Sequence, residues 1–144
     1  MATDIASALD IEVDFQARDL EPMIQSVREG EVPVFRLGWE VTTPDPGAYL
    51  RPLFHSSQIG LDNLSRYSSP RVDALLDEAR ALDDPGERAS RFRAAERQIL
   101  TDLPVVPLLW YRHSAVVAPE VQGFVYSPLG RMNLDEVWFD APAA

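Results

Sequence analysis

The stretch LGWEVTTPDPGAYLRPL, residues 37–53, decides how the chain is read. It joins an apolar approach to a turn crowded with prolines. Residues 32–37, VPVFRL, read as a short buried strand, and Gly38 would let the chain leave that strand with little steric restriction. Trp39 is then presented at the strand's end. Pro44 and Pro46 bracket Asp45, which predicts an N-cap followed by a helix over residues 47–54. A strand end, a tryptophan and a loop therefore meet at one edge of a sheet, and in open α/β sheets that edge is where ligands bind.

Upstream, residues 3–9 read as the end of a helix. Ile11, Val13 and Phe15 alternate with Glu12, Asp14 and Gln16, the period of a strand with one apolar face. Leu20, Ile24 and Val27 recur at helical spacing up to Gly30, a C-terminal stop. With residues 32–37 this predicts a parallel strand, helix, strand unit with a right-handed crossover. Downstream, prolines 44, 46 and 52 and Gly60 break residues 39–69 into a long loop, the kind of connection that carries function in compact domains.

Ser69-Pro70 caps the next predicted helix, over about residues 70–82, with Val72, Leu75, Leu76, Ala79 and Leu82 as its apolar stripe. Asp84, Pro85 and Glu87 start another over about 85–103, with Phe92, Ala95, Ile99 and Leu103 inward. The tight connection at Asp83 and Asp84 makes the two an antiparallel pair. Residues 105–111 and 115–118 read as strands, with Pro107 at an edge or bulge, and residues 124–126 and 137–139 add short final strands. Residues 141–144 read as a frayed end. With no internal repeat and no low-complexity linker, the working division is one α/β domain, residues 1–144.

Composition narrows the function classes. A chain of this length buries about 68–70% of its unfolded surface, enough for a core, and 46% hydrophobic with 25% charged residues argues against disorder. A net charge of −10 disfavours phosphate backbones, so no nucleic-acid partner is expected. All 13 basic residues are arginine, which carries no functional weight. The absence of cysteine removes disulfides, thiolate nucleophiles and cysteine zinc sites, and His55 and His113 are too far apart in sequence for a recognised metal motif. No metal and no cofactor are expected. No apolar run approaches the ~20 residues of a membrane span, and MATDIASALD lacks the charged start and apolar centre of a signal peptide.

Enzyme chemistry finds no support. There is no GxSxG elbow, no HExxH and no glycine-rich phosphate loop. Asp83 and Asp84 sit where anions suit a helix dipole, so capping accounts for them better than acid-base work. Arg88, Arg91, Arg93 and Arg97 read as a solvated, salt-bridged face, with Glu87 and Arg91 an i,i+4 pair, rather than as a nucleic-acid patch. Trp39 has a plain reading as a core aromatic and Asp45 as a helix cap. Asn63 and Tyr67 are expected to organise the long loop, through a side-chain to backbone hydrogen bond and a buried ring. Trp110 and Tyr111 read as packing groups and His113 as solvated; His55 has no visible partner.

GW, a short loop, DP, then Asn63 and Tyr67, the helices SPRVDALLDEAR and DDPGERASRFRAAERQIL, and the run DLPVVPLLWY occur in an order and spacing that resembles the C-terminal part of the family 5 solute-binding proteins. These are extracytoplasmic receptors of dipeptide and oligopeptide ABC importers. The resemblance covers nearly the whole chain and only the last portion of a family member. It implies an α/β C-terminal lobe, in part, of a periplasmic-binding-protein-like two-lobed receptor that closes on a peptide or related small solute by hinge motion and makes or breaks no bond. It implies further partners, the missing N-terminal lobe and the importer's permease, and a location in the periplasm or membrane-anchored outside the cytoplasm, the export signal lying on the missing part. Trp39, Glu40, Thr42 and Asp45 become candidate ligand contacts. Peptide-binding members commonly have an Asp three residues after this Trp, where it meets the peptide's α-ammonium group; here that position is Thr42. The alternative is an isolated lobe whose exposed former interface binds other chains or itself.

Overall fold

The computed structural model describes residues 2–127 and 129–140, so the reading of residues 141–144 lies outside the described residues. The chain divides into two compact units, Met1–Leu37 and Gly38–Ala144.

The first unit has two helices, α1 (Ala2–Leu9) and α2 (Leu20–Glu29). Helix α2 ends as its sequence says: Gly30 takes the left-handed conformation with φ 81°, and its amide returns to the carbonyls of Ser26 and Val27. The parallel strand, helix, strand unit is corrected here, because residues 11–16 and 32–37 form no strand. Alternation records a preference for a half-buried face, but a strand exists only where its backbone meets a partner. Phe15 stands 72% exposed, with Ile11 and Val13 also open to solvent. In the second segment the chain bends at Pro33 and Val34, where the proline removes a ladder donor.

The second unit is built on α3 (Gly47–Phe54), α4 (Pro70–Ala81) and α5 (Pro85–Asp102). Ser69 accepts the Val72 amide and Asp84 the Glu87 amide, so both helices start at the predicted caps, each with proline in its first turn. Val72, Leu76 and Ala79 of α4 meet Phe92, Ala95 and Ile99 of α5, and Leu50 and Phe54 of α3 complete the core. Arg91 of α5 reaches Glu78 of α4 at 2.7 Å, and Tyr67, just before α4, bonds Asp102 at the far end of α5. The pair is therefore antiparallel. Leu103 is a correction: it adopts φ 51° as the left-handed C-cap and turns outward.

The remaining chain contributes little regular structure. Residues 105–111 and 115–118 are not strands. Two-residue strands β1 (Val121–Gln122) and β2 (Trp138–Phe139) pair antiparallel, Val121 opposite Phe139. Among the described residues, 124–126 provide only a single bridge, from Tyr126 to Met132. No helix among the described residues is long and apolar enough to cross a membrane.

Candidate functional site

The loop that carries Trp39, Glu40, Thr42 and Asp45 is anchored at both ends. At its start, Gly38 lies against the Tyr111 ring so closely that a Cβ there would stand 3.1 Å from the phenolic oxygen. At its end, Oδ1 of Asp45 accepts the Gly47 amide at 2.7 Å, and Oδ2 meets Nη2 of Arg88 at 2.6 Å. Asp45 thus spends both carboxylate oxygens on the start of α3 and on α5. Between the anchors, Glu40 and Thr42 are exposed and Trp39 is 38% exposed. Trp39, Glu40 and Thr42 lie on one short segment of accessible chain, while both Asp45 oxygens are engaged by groups of the same unit. Two open concavities lie elsewhere, one lined by Ala17, Arg18, Asp19 and Pro22 and one around Val125, Leu129 and Met132.

Beyond this loop the chain turns on Asn63, which is fully buried. Its Nδ2 donates to the carbonyls of His55 and Tyr67, and its Oδ1 accepts from the Tyr67 amide and the Ser65 hydroxyl. One amide side chain thereby ties the whole of residues 55–67. Tyr67 adds an edge-to-face contact with Phe54 and a hydroxyl bond of 2.6 Å to Asp102. Loss of hydration, helped by the Asp102 carboxylate, raises its phenol above the ordinary value.

His55, without a visible partner in the sequence, caps a 3-10 turn at Ser56–Gln58. Its Nδ1 accepts the Ser57 amide, which leaves the ring proton on Nε2, 3.5 Å from Asp77. Asp73 holds the amide and hydroxyl of Ser56, and Asp77 pairs with Arg51, whose hydrogen bond holds the Asp77 carboxyl below its usual range. These contacts join α3 to α4. No cluster of three or more histidines, cysteines or acidic residues that could hold a metal ion occurs among the described residues.

The readings of Trp110 and of the arginine face change, while His113 is exposed as expected. Trp110 is 91% exposed rather than packed. His113 stacks on Tyr126 with rings 5.6 Å apart and nearly parallel. The arginine face is salt-bridged, but its partners are off the helix: Arg88 takes Asp45 and Arg91 takes Glu78. Helical spacing identifies pairs within one helix and is blind to partners brought in by folding.

No protein-family model matches the chain. Heme-binding protein A of Haemophilus influenzae is 36% identical over 103 residues, 72% of this chain and 19% of that protein. The probable di/tripeptide-binding protein 5 of Pseudomonas aeruginosa is 27% identical over 139 residues, 95% of this chain and 26% of that protein. The chain thus spans about a fifth to a quarter of the length of these curated relatives. The solved structure of HbpA2 from Haemophilus parasuis superposes with a TM-score of 0.79 at 24% identity, over 97% of this chain and 27% of that one. A fold shared over nearly the whole chain, together with sequence similarity to periplasmic binding proteins, agrees with the order of motifs: this chain resembles the C-terminal part of the family 5 solute-binding proteins.

Proposed function

We propose that the chain, residues 1–144, is the C-terminal lobe portion of an extracytoplasmic receptor that binds a small solute and delivers it to the permease of an ABC importer. The observation that carries this reading is the run from Leu103 to Val117. Leu103, Val106, Leu108, Leu109, Trp110, Tyr111 and Val116 are all exposed, in a segment without regular secondary structure. An apolar run of this length left open is the mark of a surface that another part of a larger fold covers. The rest of the receptor, with its N-terminal lobe, is the occupant that the relatives' greater length supports.

In this reading Trp39 supplies an aromatic wall to the solute, with Glu40 and Thr42 beside it and Asp45 holding the loop's end. Thr42 carries no charge. A neutral hydrogen bond contributes ~0.5–1.5 kcal/mol, against ~1.5–3 for one to a charged group. An α-ammonium group taken from water into a closed cleft without its counter-ion is left partly uncompensated. The solute is therefore one without a free α-amino group: a sugar, a blocked peptide, or haem, the ligand for which the Haemophilus influenzae relative is named and which has no ammonium group.

Calorimetric titration of the intact receptor with trialanine, N-acetyl-trialanine and haemin tests this. Binding of haemin or the acetylated peptide, with trialanine weaker by about tenfold, is expected. A preference for the free amine would overturn the assignment of the solute class, and a receptor that binds none of the three under conditions where it is folded would count against peptide-like and haem-like solutes together.

A further inference from the structure

We infer that Arg88 is a positioning residue for the solute-facing loop, acting through Asp45. This rests on the reading above, that residues 39–44 face the solute. Arg88 stands on the first turns of α5, well separated in sequence from the loop, and nothing in its helical spacing marks it out. Its Nη2 meets Oδ2 of Asp45 at 2.6 Å, while its guanidinium carbon lies 5.3 Å from the centroid of the Phe92 ring. Phe92 belongs to the buried core with Leu50, Leu76 and Ile99. The arginine therefore connects a loop carboxylate to the buried core of the unit, its cation over an aromatic ring and one nitrogen on the carboxylate.

Gly47 closes the arrangement. A Cβ on it would stand 2.8 Å from Oδ1 of Asp45 and 3.0 Å from Cζ of Phe92, so the backbone, the carboxylate and the ring already touch. Asp45 consequently has two separable duties: Oδ1 caps the amide of Gly47, and Oδ2 fixes the heading of the loop relative to α5. Because Gly38 is held against Tyr111 at the other end, the Asp45 anchor determines how far residues 39–44 swing. Affinity for a solute falls in proportion to the fraction of time the loop spends away from its binding position. The ion pair is half-exposed, so its contribution to global stability is small and its effect is local.

The two duties separate chemically. Asp45→Asn keeps an oxygen for the Gly47 amide and removes the charge that Arg88 meets; Arg88→Gln removes the other partner; Arg88→Lys keeps the charge. These variants are made in the intact receptor with Trp110→Phe, Trp138→Phe and any tryptophan outside this chain replaced, leaving Trp39 as the reporter. Acrylamide quenching of Trp39 is measured without solute, and affinity with N-acetyl-trialanine and haemin. Asp45→Asn and Arg88→Gln should each raise the quenching constant and weaken binding by up to about fivefold, the factor an exposed ion pair is worth. The double variant should be no worse than either single one, and Arg88→Lys should recover most of the parent's behaviour. Unchanged quenching, additive effects, or a lowered melting temperature with the loop undisturbed would overturn the inference. Trp39→Ala run alongside keeps the two claims apart: unaltered affinity there refutes the solute-facing reading while leaving the quenching result to stand or fall by itself.

Discussion

Asn63→Ala is the substitution expected to damage the second unit most for its size. The side chain is fully buried and makes four hydrogen bonds, to the His55 and Tyr67 carbonyls, the Tyr67 amide and the Ser65 hydroxyl. Alanine removes all four; the His55 carbonyl keeps the Gln58 amide at 3.0 Å and the other three groups are part-buried and can turn to water, so each lost bond costs a net ~0.5–1 kcal/mol. The sum is about 2–4 kcal/mol, or roughly 10 °C in melting temperature for a unit of this size. Urea unfolding of the intact protein measures the loss, and hydrogen exchange across residues 55–69 locates it. Asn63→Asp is the control: it keeps an acceptor for the Tyr67 amide, lacks both donors, and places a charge in a fully buried site, so it should be at least as damaging. Parent-like unfolding with retained protection of the loop in Asn63→Ala would refute the reasoning.

Two further outcomes follow from the same geometry. Tyr67 has its phenol raised above the ordinary value of about 10, so the folded state holds its proton longer than the unfolded chain. Its contribution to stability is complete below the unfolded value and is lost as pH rises through the folded one; Tyr67→Phe should flatten the decline in melting temperature above about pH 10, and an unchanged decline would exclude Tyr67 as its source. The isolated 144-residue chain should bind N-acetyl-trialanine and haemin weakly or not at all and should self-associate through the open run at Leu103 to Val117; a strictly monomeric species in sedimentation velocity, or micromolar affinity by calorimetry, would contradict this.

The helices were legible because their signals are local. Ser69-Pro70, Asp84-Pro85 and Gly30 mark ends through groups within a few residues, and the stripes on α4 and α5 need only a 3.6-residue period. Asn63 and Tyr67 could be singled out for the same reason, since a buried amide in a loop has few uses besides holding backbone. The strands were not legible in the same way. Residues 11–16 have the right alternation and residues 105–111 the right composition, but pairing depends on a partner that no local pattern contains. The Asp45–Arg88 link was hidden for a related reason: each residue had a sufficient local account, one as a cap and the other as a member of a helical charge face, and only folding brings them to 2.6 Å. Trp110 departs from the packing its sequence suggests because an apolar run implies burial without saying what does the burying.

The central claim is that Trp39 and its loop face a solute, and one substitution tests it most directly. Trp39→Ala in the intact receptor is followed by calorimetric titration with whichever of haemin or N-acetyl-trialanine the parent binds, and by thermal unfolding. Trp39 is 38% exposed and stands on a loop outside the α3–α4–α5 core, so affinity should fall about tenfold or more with the melting temperature nearly held. A loss of stability of ~3–5 kcal/mol, the cost of truncating a core tryptophan, with affinity unchanged would place Trp39 in the core and contradict the account.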